Sequence, residues 1–424
     1  MKHVPANPKT IDDRGDRPLA INLRHLRALS AVASAGSVRK AAHRLYRVSS
    51  AVAHAISELE DAVGVPLFER RTRGMVATAY GECVLTRARR IERAFDDARN
   101  ALVAQGSVSA AKDVASTFAA ILNGRRLAVL ASLAEQRSMS AVARELGITQ
   151  PAISLTVKAL ESELGVALFE RTARGMTPTP AGEIVAFHCR RVLAELRQIL
   201  PDLAAIDDRL EGSITVGALP LGRTQILPAA IARLLRRHPQ LRVATVESPY
   251  QILAASLRSG EVDFILGALR GPARPADVVE EPLFEDRISI IARADHPLSR
   301  RAPVDVAALH RATWVLSRGG APARERFERA FVERGRTPPV PAVETGDLAV
   351  LRGILLESDM LTAISAHQLH YEIRDGSLVA LDFPLDSKLR KIGLSQRVDA
   401  LPSPAATALM DEIRAAVARS GYGG

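Results

Sequence analysis

Three polar side chains recur on one face of a predicted helix, where they could bind nucleic acid. Gln150, Ser154 and Lys158 are spaced four residues apart, so a helix places them on the same outward face. Ile153 and Val157 begin an apolar stripe on the other side, which we expect to be buried. Glutamine can bond bidentately to adenine, serine can reach a base or a phosphate, and lysine can bind phosphate. These residue types indicate a surface that contacts double-stranded DNA.

The elements that carry this surface have clear boundaries in the sequence. Ser138 is suited to cap a first helix that ends at Gly147, and Thr149 to cap the second. Pro151 falls in the first turn of the second helix, where a missing N–H costs nothing. Two helices joined by a tight turn form the helix-turn-helix arrangement, which places its second helix in the DNA major groove. An ordinary surface αα-hairpin has the same period, so periodicity alone leaves both interpretations open.

A basic hairpin is predicted directly after the second helix. Residues 169–175, FERTARG, have the composition of a β-turn that carries cations. Arg171 and Arg174 would contact the sugar-phosphate backbone, as the wing of a winged helix does.

The stretch from 138 to 182 resembles the N-terminal winged helix-turn-helix of LysR-type transcriptional regulators. The resemblance is carried by Ala143, Leu146, the run TQPAIS at 149–154, Leu160-Glu161, Leu164-Gly165, Leu168-Phe169-Glu170-Arg171 and Thr179-Pro180-Ala181-Gly182. It implies a regulator that binds double-stranded DNA and a small-molecule inducer, forms a homodimer or homotetramer and could contact RNA polymerase. It also implies that the long helix after the wing mediates dimerisation; in this chain Pro201 predicts a kink or break in that helix.

An earlier segment repeats the same pattern with a constant offset. Ser37 precedes Ser138 by 101 residues, and Leu59-Glu60 precedes Leu160-Glu161 by the same distance. Such constant phase indicates an internal duplication. LysR-type subunits normally carry a single winged helix-turn-helix, so the duplication departs from the family pattern.

The predicted DNA-contacting residues are not the same in the two copies. In the second copy, Thr149 and Pro151 are also predicted to contact DNA. The first copy has Ser49 and Ser50 where the second has Gln150 and Pro151, and its other outward candidate is His54. Its wing is richer in cations, with Arg70, Arg71 and Arg73. The first copy could therefore be a second reader, a clamp on phosphates, or a remnant used only for packing. We favour DNA contact, because a remnant has no need of three wing arginines.

Composition supports a polyanion partner in a reducing compartment. The 424 residues carry a net charge of +10, and most of the excess lies in residues 1–211, which suits DNA although it could also serve solubility. Two cysteines cannot form a disulfide framework, which favours the cytoplasm. Residues 1–20 are predicted to be a disordered tail, and no apolar run is long enough for a membrane span.

The predicted fold class is multidomain: two tandem winged helix-turn-helix units with long linker helices, then a two-lobed α/β effector domain. The predicted boundaries are 21–108 for the first unit, 109–211 for the second and 212–424 for the effector domain. Alternating strands and helices after residue 212 indicate βαβ units and a mainly parallel sheet. The domain resembles the inducer-binding domain of the family, which is related to periplasmic binding proteins. We place its first lobe at about 212–270 and 385–424, and its second at about 271–384.

A small ligand is expected in the cleft between these lobes. The positions that match family inducer sites lie in loops at strand ends: Leu221, Gly222, Arg223, Thr224, Ser248, Tyr250, Gly267, Ser317, Thr345 and Ser365. Loops that enter helices present backbone N–H groups, and with Arg223 they favour a small carboxylate. Arg223 could equally be a solvated surface residue. Leu221 stands where the family often has a hydroxyl residue, which weakens the case for a carboxylate.

Catalytic signatures are not found in the sequence. It lacks a GxSxG elbow, a Walker A loop, a GxGxxG turn and an HExxH pair, and it has no Cys/His cluster of zinc spacing. We therefore predict a regulator that is not an enzyme and needs no cofactor or metal. The alternative from another class is a small-molecule binding module whose helical half serves only oligomer assembly.

Overall fold

The structure, a computed structural model, describes residues 21–72, 74–109, 117–118, 123–301, 303–385 and 389–419. The predicted tail at residues 1–20 and the wing residue Arg73 lie outside the described residues. The chain divides into two compact units at Gly212, apart from two short pieces of the second half. This division lies next to the predicted start of the effector domain.

The first unit contains the same order of elements twice: short helices, a hairpin and then a long helix. In the first copy these are α1 (Leu23–Ala35), α2 (Val38–Arg44), α3 (Ser49–Val63), β1 (Phe68–Arg71), β2 (Gly74–Ala77) and α4 (Ala79–Ala104). In the second copy they are α5 (Gly124–Gln136), α6 (Met139–Glu145), α7 (Gln150–Leu164), β3 (Phe169–Thr172), β4 (Gly175–Pro178) and α8 (Pro180–Ile206).

The predicted caps define the helices of the second copy. The Ser138 side chain accepts a hydrogen bond from the backbone N–H of Ala141, and Thr149 accepts one from Ala152. Gly147 lies between α6 and α7 with φ 61°, a left-handed conformation that glycine adopts without strain. These local signals were readable in the sequence because each cap needs only residues close to it in the chain.

A single apolar core runs through both copies, from Ile21 to Leu203. The long helices α4 and α8 pack along each other, and Val185, Val192 and Leu196 of α8 are buried in this core. Helix α8 continues through Pro201 to Ile206, so the predicted break is wrong. Ile199 and Leu203 are buried on either side of the proline, and this packing holds the helix together despite one missing N–H.

The second unit is an α/β domain. Its elements in chain order are β5 (Ser213–Ala218), α9 (Ile226–Arg237), β6 (Arg242–Val246), α10 (Tyr250–Ser259), β7 (Phe264–Ala268), β8 (Val278–Asp286), β9 (Ile288–Arg293), α11 (Val306–Arg311), β10 (Val315–Leu316), α12 (Pro322–Val332), β11 (Val343–Glu344), α13 (Leu348–Glu357), β12 (Thr362–Ser365), α14 (His370–Arg374), β13 (Leu378–Ala380), β14 (Arg390–Arg397) and α15 (Pro404–Arg419).

In the described residues, one five-stranded sheet forms the first lobe, and a three-stranded and a two-stranded sheet form the second. The first-lobe sheet has the order β6-β5-β7-β14-β8, in which β5, β6 and β7 are parallel. In the second lobe, β12 and β13 flank β9, and β10 pairs with β11 in parallel. Trp314 forms a parallel bridge to Leu361 and stacks near Phe327, with ring centroids 4.6 Å apart.

The predicted lobe boundary at residue 271 is wrong for one strand. Strand β8 belongs to the first-lobe sheet, where it pairs with β14 from Asp286 opposite Arg390 to Val278 opposite Arg397. This continuous pairing satisfies the backbone of β8, so the chain enters the second lobe only after Asp286. Among the described residues, no helix combines the length and apolar character that a membrane span requires.

Candidate DNA-binding surface and effector cleft

The outward face of α7 carries the residues predicted to read DNA. Gln150, Pro151 and Lys158 are exposed, as is the capping residue Thr149, while Ser154 is half-exposed on the same helix. The Gln150 side-chain amide donates a hydrogen bond to Ser140 Oγ at 3.3 Å, which holds it beside the preceding helix. The structure therefore brings the predicted residues together on one surface.

The wing of the second copy is fixed to α7 by a half-buried carboxylate. Glu161 Oε1 accepts hydrogen bonds from the backbone N–H groups of Leu168 at 2.7 Å and Phe169 at 3.1 Å. A Cβ at Gly182 would overlap the carbonyl oxygen of Leu168, so the wing and α8 approach as closely as glycine permits. The exposed wing residues Arg171 and Arg174 are thus carried on a hairpin whose position follows that of α7.

The first copy keeps this framework but not the polar face. Glu60 Oε1 accepts from Leu67 N at 2.7 Å and from Phe68 N at 3.3 Å, as its counterpart does. Tyr46 replaces the turn glycine at φ 51° and is 96% exposed. An aromatic side chain in a left-handed conformation is uncommon. The turn of the first copy therefore holds an exposed tyrosine in a backbone conformation that glycine adopts more easily.

The other outward residues of the first copy are also accessible. Ser49, Ser50 and His54 are exposed on α3, and His54 Nε2 lies 3.1 Å from Glu58 Oε1. In the wing, Arg70 and Arg71 are exposed. Arg71 contacts Glu69 at 3.1 Å, but a solvent-exposed pair of this kind contributes little stability and leaves the guanidinium available to DNA.

The long helices α4 and α8 meet through a buried ionic network that was not predicted. Arg87 is 2% exposed and donates to Glu195 and Asp202, each at 2.7 Å. Arg90 also donates to Glu195, at 2.8 Å. Burial opposes the charge of Arg87, but the hydrogen bond and charge of Asp202 outweigh it and raise the pKa of the guanidinium. Burial raises the pKa of the Asp202 carboxyl, because its desolvation exceeds the pull of Arg87.

His188 and Cys189 are buried and Cys83 is half-buried, and none of them has a catalytic partner among the described residues. Burial, with the charge of Arg191, lowers the pKa of His188 to about 4, against an ordinary value of 6.5. Burial raises the pKa of Cys83 to about 11 and that of Cys189 to about 12. These thiols therefore stay protonated at neutral pH and are poor nucleophiles.

The effector domain brings strand ends of both lobes together. Leu221 and Gly222 are buried in a 3-10 helix after β5, and Arg223 in the same turn is half-exposed. Thr224 Oγ1 donates to the carbonyl oxygen of His367 at 3.3 Å, which links the first-lobe loop to the end of β12. The predicted cleft therefore has its first-lobe wall beside Thr224.

Tyr250 at the start of α10 and Arg270 just after β7 form a cation–π pair in the first lobe. Tyr250 is buried at the start of α10, and the Arg270 guanidinium lies over its ring at 4.4 Å. The Tyr250 hydroxyl and Arg270 Nε are buried with no hydrogen-bond partner among the described residues. Burial lowers the pKa of Arg270 and raises that of Tyr250. Arg270 was missed in the sequence, although its position just after β7 is a signal that could have found it.

Other predicted ligand positions occupy different settings. Ser248 is half-exposed after β6. Gly267 lies inside β7 and not in the loop after it. A Cβ there would overlap the side chain of Leu219. The structure thus assigns Gly267 a packing role in the sheet.

The second-lobe candidates follow the parallel strands β10, β11 and β12. Thr345 donates its backbone N–H to Leu316 O at 2.9 Å, which places it beside Ser317, whose buried Oγ has no partner in the described structure. Ser365 is fully buried and donates to Asp286 Oδ1 at 2.6 Å, so its hydroxyl is already engaged. Asp286 also pairs with Arg390 at 2.6 Å. Across the described ranges, no His, Cys, Asp and Glu group is arranged to hold a metal ion.

Comparison with known proteins assigns both units. The profile described as "LysR substrate binding domain" matches residues 207–418. The profile described as "Bacterial regulatory helix-turn-helix protein, lysR family" matches twice, at residues 23–82 and 125–183. The chain belongs to the LysR family. The two matches confirm the predicted duplication.

Individual relatives of the LysR family agree with this assignment. The HTH-type transcriptional regulator GalR of Pseudomonas putida is 47% identical over 394 residues, which are 93% of this chain and 96% of that protein. The HTH-type transcriptional regulator PcaQ of Agrobacterium fabrum is 29% identical over 69% of this chain and 94% of its own length. A full-length OxyR variant from Pseudomonas aeruginosa has 26% identity and a TM-score of 0.52, over 68% of this chain and 97% of that chain.

The predicted function class and fold class are therefore confirmed. The chain is a DNA-binding transcriptional regulator with a small-molecule effector domain of the periplasmic-binding-protein-like fold, and it is not an enzyme. PcaQ and OxyR match nearly their whole length within about two thirds of this chain. The duplicated winged helix-turn-helix makes this chain longer than those relatives.

Proposed function

We propose that this regulator reads promoter DNA with α7 and holds the sugar-phosphate backbone with the wings of both copies. The observation that carries the proposal is the shared outward face of Gln150, Ser154 and Lys158 on a helix whose other side is buried. Gln150 reads a base edge, Ser154 reaches a base or phosphate, and Lys158 with Arg171 and Arg174 neutralises phosphates. Ser50 and His54 of the first copy contribute weaker contacts.

Selection of bound sequences from random duplexes tests this assignment. The Q150A/S154A variant should lose the enriched motif, because the base-reading groups are gone. The S50A/H54A variant is the matched control and should keep that motif with at most a change at its flank. Loss of the motif in the control with retention in Q150A/S154A would reverse the proposed roles.

The wing arginines of the first copy are proposed to bind phosphate. Each phosphate contact adds about 0.9 to the slope of log affinity against log salt concentration. The R70A/R71A variant should therefore reduce this slope by roughly 2, and R171A/R174A should do the same. An unchanged slope and footprint in R70A/R71A would show that these two wing arginines do not contact phosphate. Absence of both salt-dependent binding and sequence-specific protection of a promoter by the whole chain would favour the alternative of an assembly module.

We further propose that the effector is a small carboxylate bound between the lobes. The support is the buried Arg270 Nε and Tyr250 hydroxyl, two donors that a carboxylate could satisfy at once. Thr224, Ser317 and Thr345 border the same strand ends. Thermal unfolding with a panel of carboxylates is the test, because a ligand that binds only the folded state raises Tm. No shift with any carboxylate at millimolar concentration would refute this ligand class.

A regulator of this kind acts on chromosomal DNA, and we propose a cytoplasmic location and a homo-oligomeric state for it. In vitro transcription with purified RNA polymerase, with and without the effector, would decide whether it activates or represses and whether the polymerase is a partner.

A further inference from the structure

Helix α4 of the first copy packs antiparallel against α8 of the second copy, and the contacts between them are symmetric. Contacts that involve later residues of α4 involve earlier residues of α8: Tyr80 bonds Asp207, whereas Asp97 lies near Arg191. Two of these contacts correspond to each other when every residue is replaced by its counterpart in the other copy. Arg87 bonds Glu195, and the residues 101 positions away from each, His188 and Ala94, are also in contact through a hydrogen bond to the Ala94 backbone.

This exchange is the signature of a twofold relation. When two like elements pair about a twofold axis, a contact from residue i to residue j requires the contact from j to i. Here both contacts occur between repeats of one chain, so the copies are arranged as two subunits of a dimer would be. The same rotation relates α3 to α7, so two identical reading faces would meet a duplex that crosses the axis in opposite orientations.

The ionic groups of this interface are not symmetric. Arg87 and Arg90 lie on α4, whereas Glu195 and Asp202 lie on α8. The repeat of Asp202 in the first copy is Ala101. Pairing of α4 with α4 of another chain would place Arg87 against Ala94 and Ala101, as a buried guanidinium with no carboxylate. A buried charge without its partner is strongly unfavourable, so the network selects the α4–α8 pair.

We propose that a single chain forms the complete, asymmetric DNA-binding unit, in which the first copy takes the place of a second subunit's winged helix. The ligand that fits this unit is a duplex whose two halves differ: one is read through bases by α7, and the other is held through its backbone by the first copy. This inference rests on the DNA contacts proposed above, but the pairing itself is tested independently of them.

Cross-linking of the full-length D97C/R191C variant tests the pairing. Asp97 and Arg191 contact each other at 4.0 Å, and their side chains are 54% and 20% exposed, so the exchange should be tolerated. A short bismaleimide should produce a species of single-chain mass whose yield is unchanged by dilution. The wild type, with Cys83 half-buried and Cys189 buried, is the control for background reaction.

Two results would overturn the pairing. One is a product of double mass whose yield falls on dilution, which would mean that the helices pair between chains. The other is the absence of any cross-link. The R191C single variant adds a further check, because it should give no dimer unless α8 pairs with α8 of another chain.

A graft of the reading face tests the DNA part. The V48T/S49Q/S50P/A53S/S57K variant gives exposed positions of α3 the residues of α7. Selection from random duplexes should then enrich an inverted repeat of the motif that the wild type enriches once. The reciprocal T149V/Q150S/P151S/S154A/K158S variant should enrich no motif.

The two experiments fail separately. A single motif or a direct repeat from the grafted variant would contradict the twofold DNA-binding unit even if cross-linking supports the pairing. If the selectivity of the wild type does not depend on Gln150, the proposed reading residues are refuted and the intrachain pairing is unaffected.

Discussion

At the scale of single residues, Gln150 offers the most direct test of base reading. A bidentate contact to adenine contributes about 1–3 kcal/mol of discrimination against the wrong base. We expect Q150A to lose roughly this discrimination while it keeps binding to unrelated duplexes. Competition between the selected site and a site with one base changed measures the effect.

Lys158 is the contrasting case on the same face. K158A should weaken binding to all duplexes to a similar extent, because phosphate contacts carry no direct sequence information. If K158A alters base preference as Q150A does, then the assignment of base recognition to Gln150 and phosphate contact to Lys158 is wrong.

His188 makes the stability of the first unit depend on pH. Its pKa is about 4 in the folded chain and 6.5 ordinarily, so the unfolded chain binds the extra proton between these values. Stability should therefore fall as pH drops from about 6.5 to about 4. For a pKa lowered by roughly 2.5 units this amounts to roughly 3 kcal/mol.

Denaturant unfolding of the wild type and of H188Q at several pH values checks this effect. Glutamine can still donate to the Ala94 backbone but does not titrate, so the variant should show a shallower dependence. Identical pH profiles for the two proteins would rule out His188 as the source.

At the scale of elements, the position of the wing depends on one carboxylate. Loss of a half-buried acceptor that serves two backbone donors costs about 1 kcal/mol. We expect E161A to lower stability by about this amount and to weaken DNA binding, because Arg171 and Arg174 lose their fixed position. E161Q should be milder, since its amide oxygen still accepts.

The control for this prediction lies on the same helix. Glu163 is exposed on α7, so E163A should leave the urea midpoint nearly unchanged. Equal losses from E161A and E163A would mean that helix propensity or charge, and not the wing contact, explains the effect.

Elements with local signals were predictable, and those that depend on distant partners were not. Ser138, Thr149 and Gly147 affect only residues within one helical turn of their own positions. The apolar stripe of α7 follows from the helical spacing of its apolar residues. Arg87 finds its carboxylates 108 and 115 residues away, and strand β8 is assigned to its lobe by β14. Such pairings depend on tertiary contacts that periodicity does not encode, and the same is true of Arg270 over Tyr250.

At the scale of the whole molecule, occupancy of the cleft should stabilise the effector domain. A ligand at about 100 times its Kd adds about 2.7 kcal/mol to the folded state. R270M and Y250F should each reduce the Tm shift produced by a carboxylate that stabilises the wild type. R223M is the control, because Arg223 is half-exposed, and it should keep the shift. A larger loss in R223M than in R270M would move the anion site to the loop after β5.

The presence of both winged helix-turn-helix copies in one polypeptide has a consequence for how the DNA site can change in evolution. In a protein built from two identical chains, one codon change alters both recognition helices, so both half-sites must change together. In the single-chain unit proposed above, a codon change in α3 or α7 alters one half only. Promoter sequences on the two sides can therefore drift separately, and each gain or loss of a contact is selected on its own.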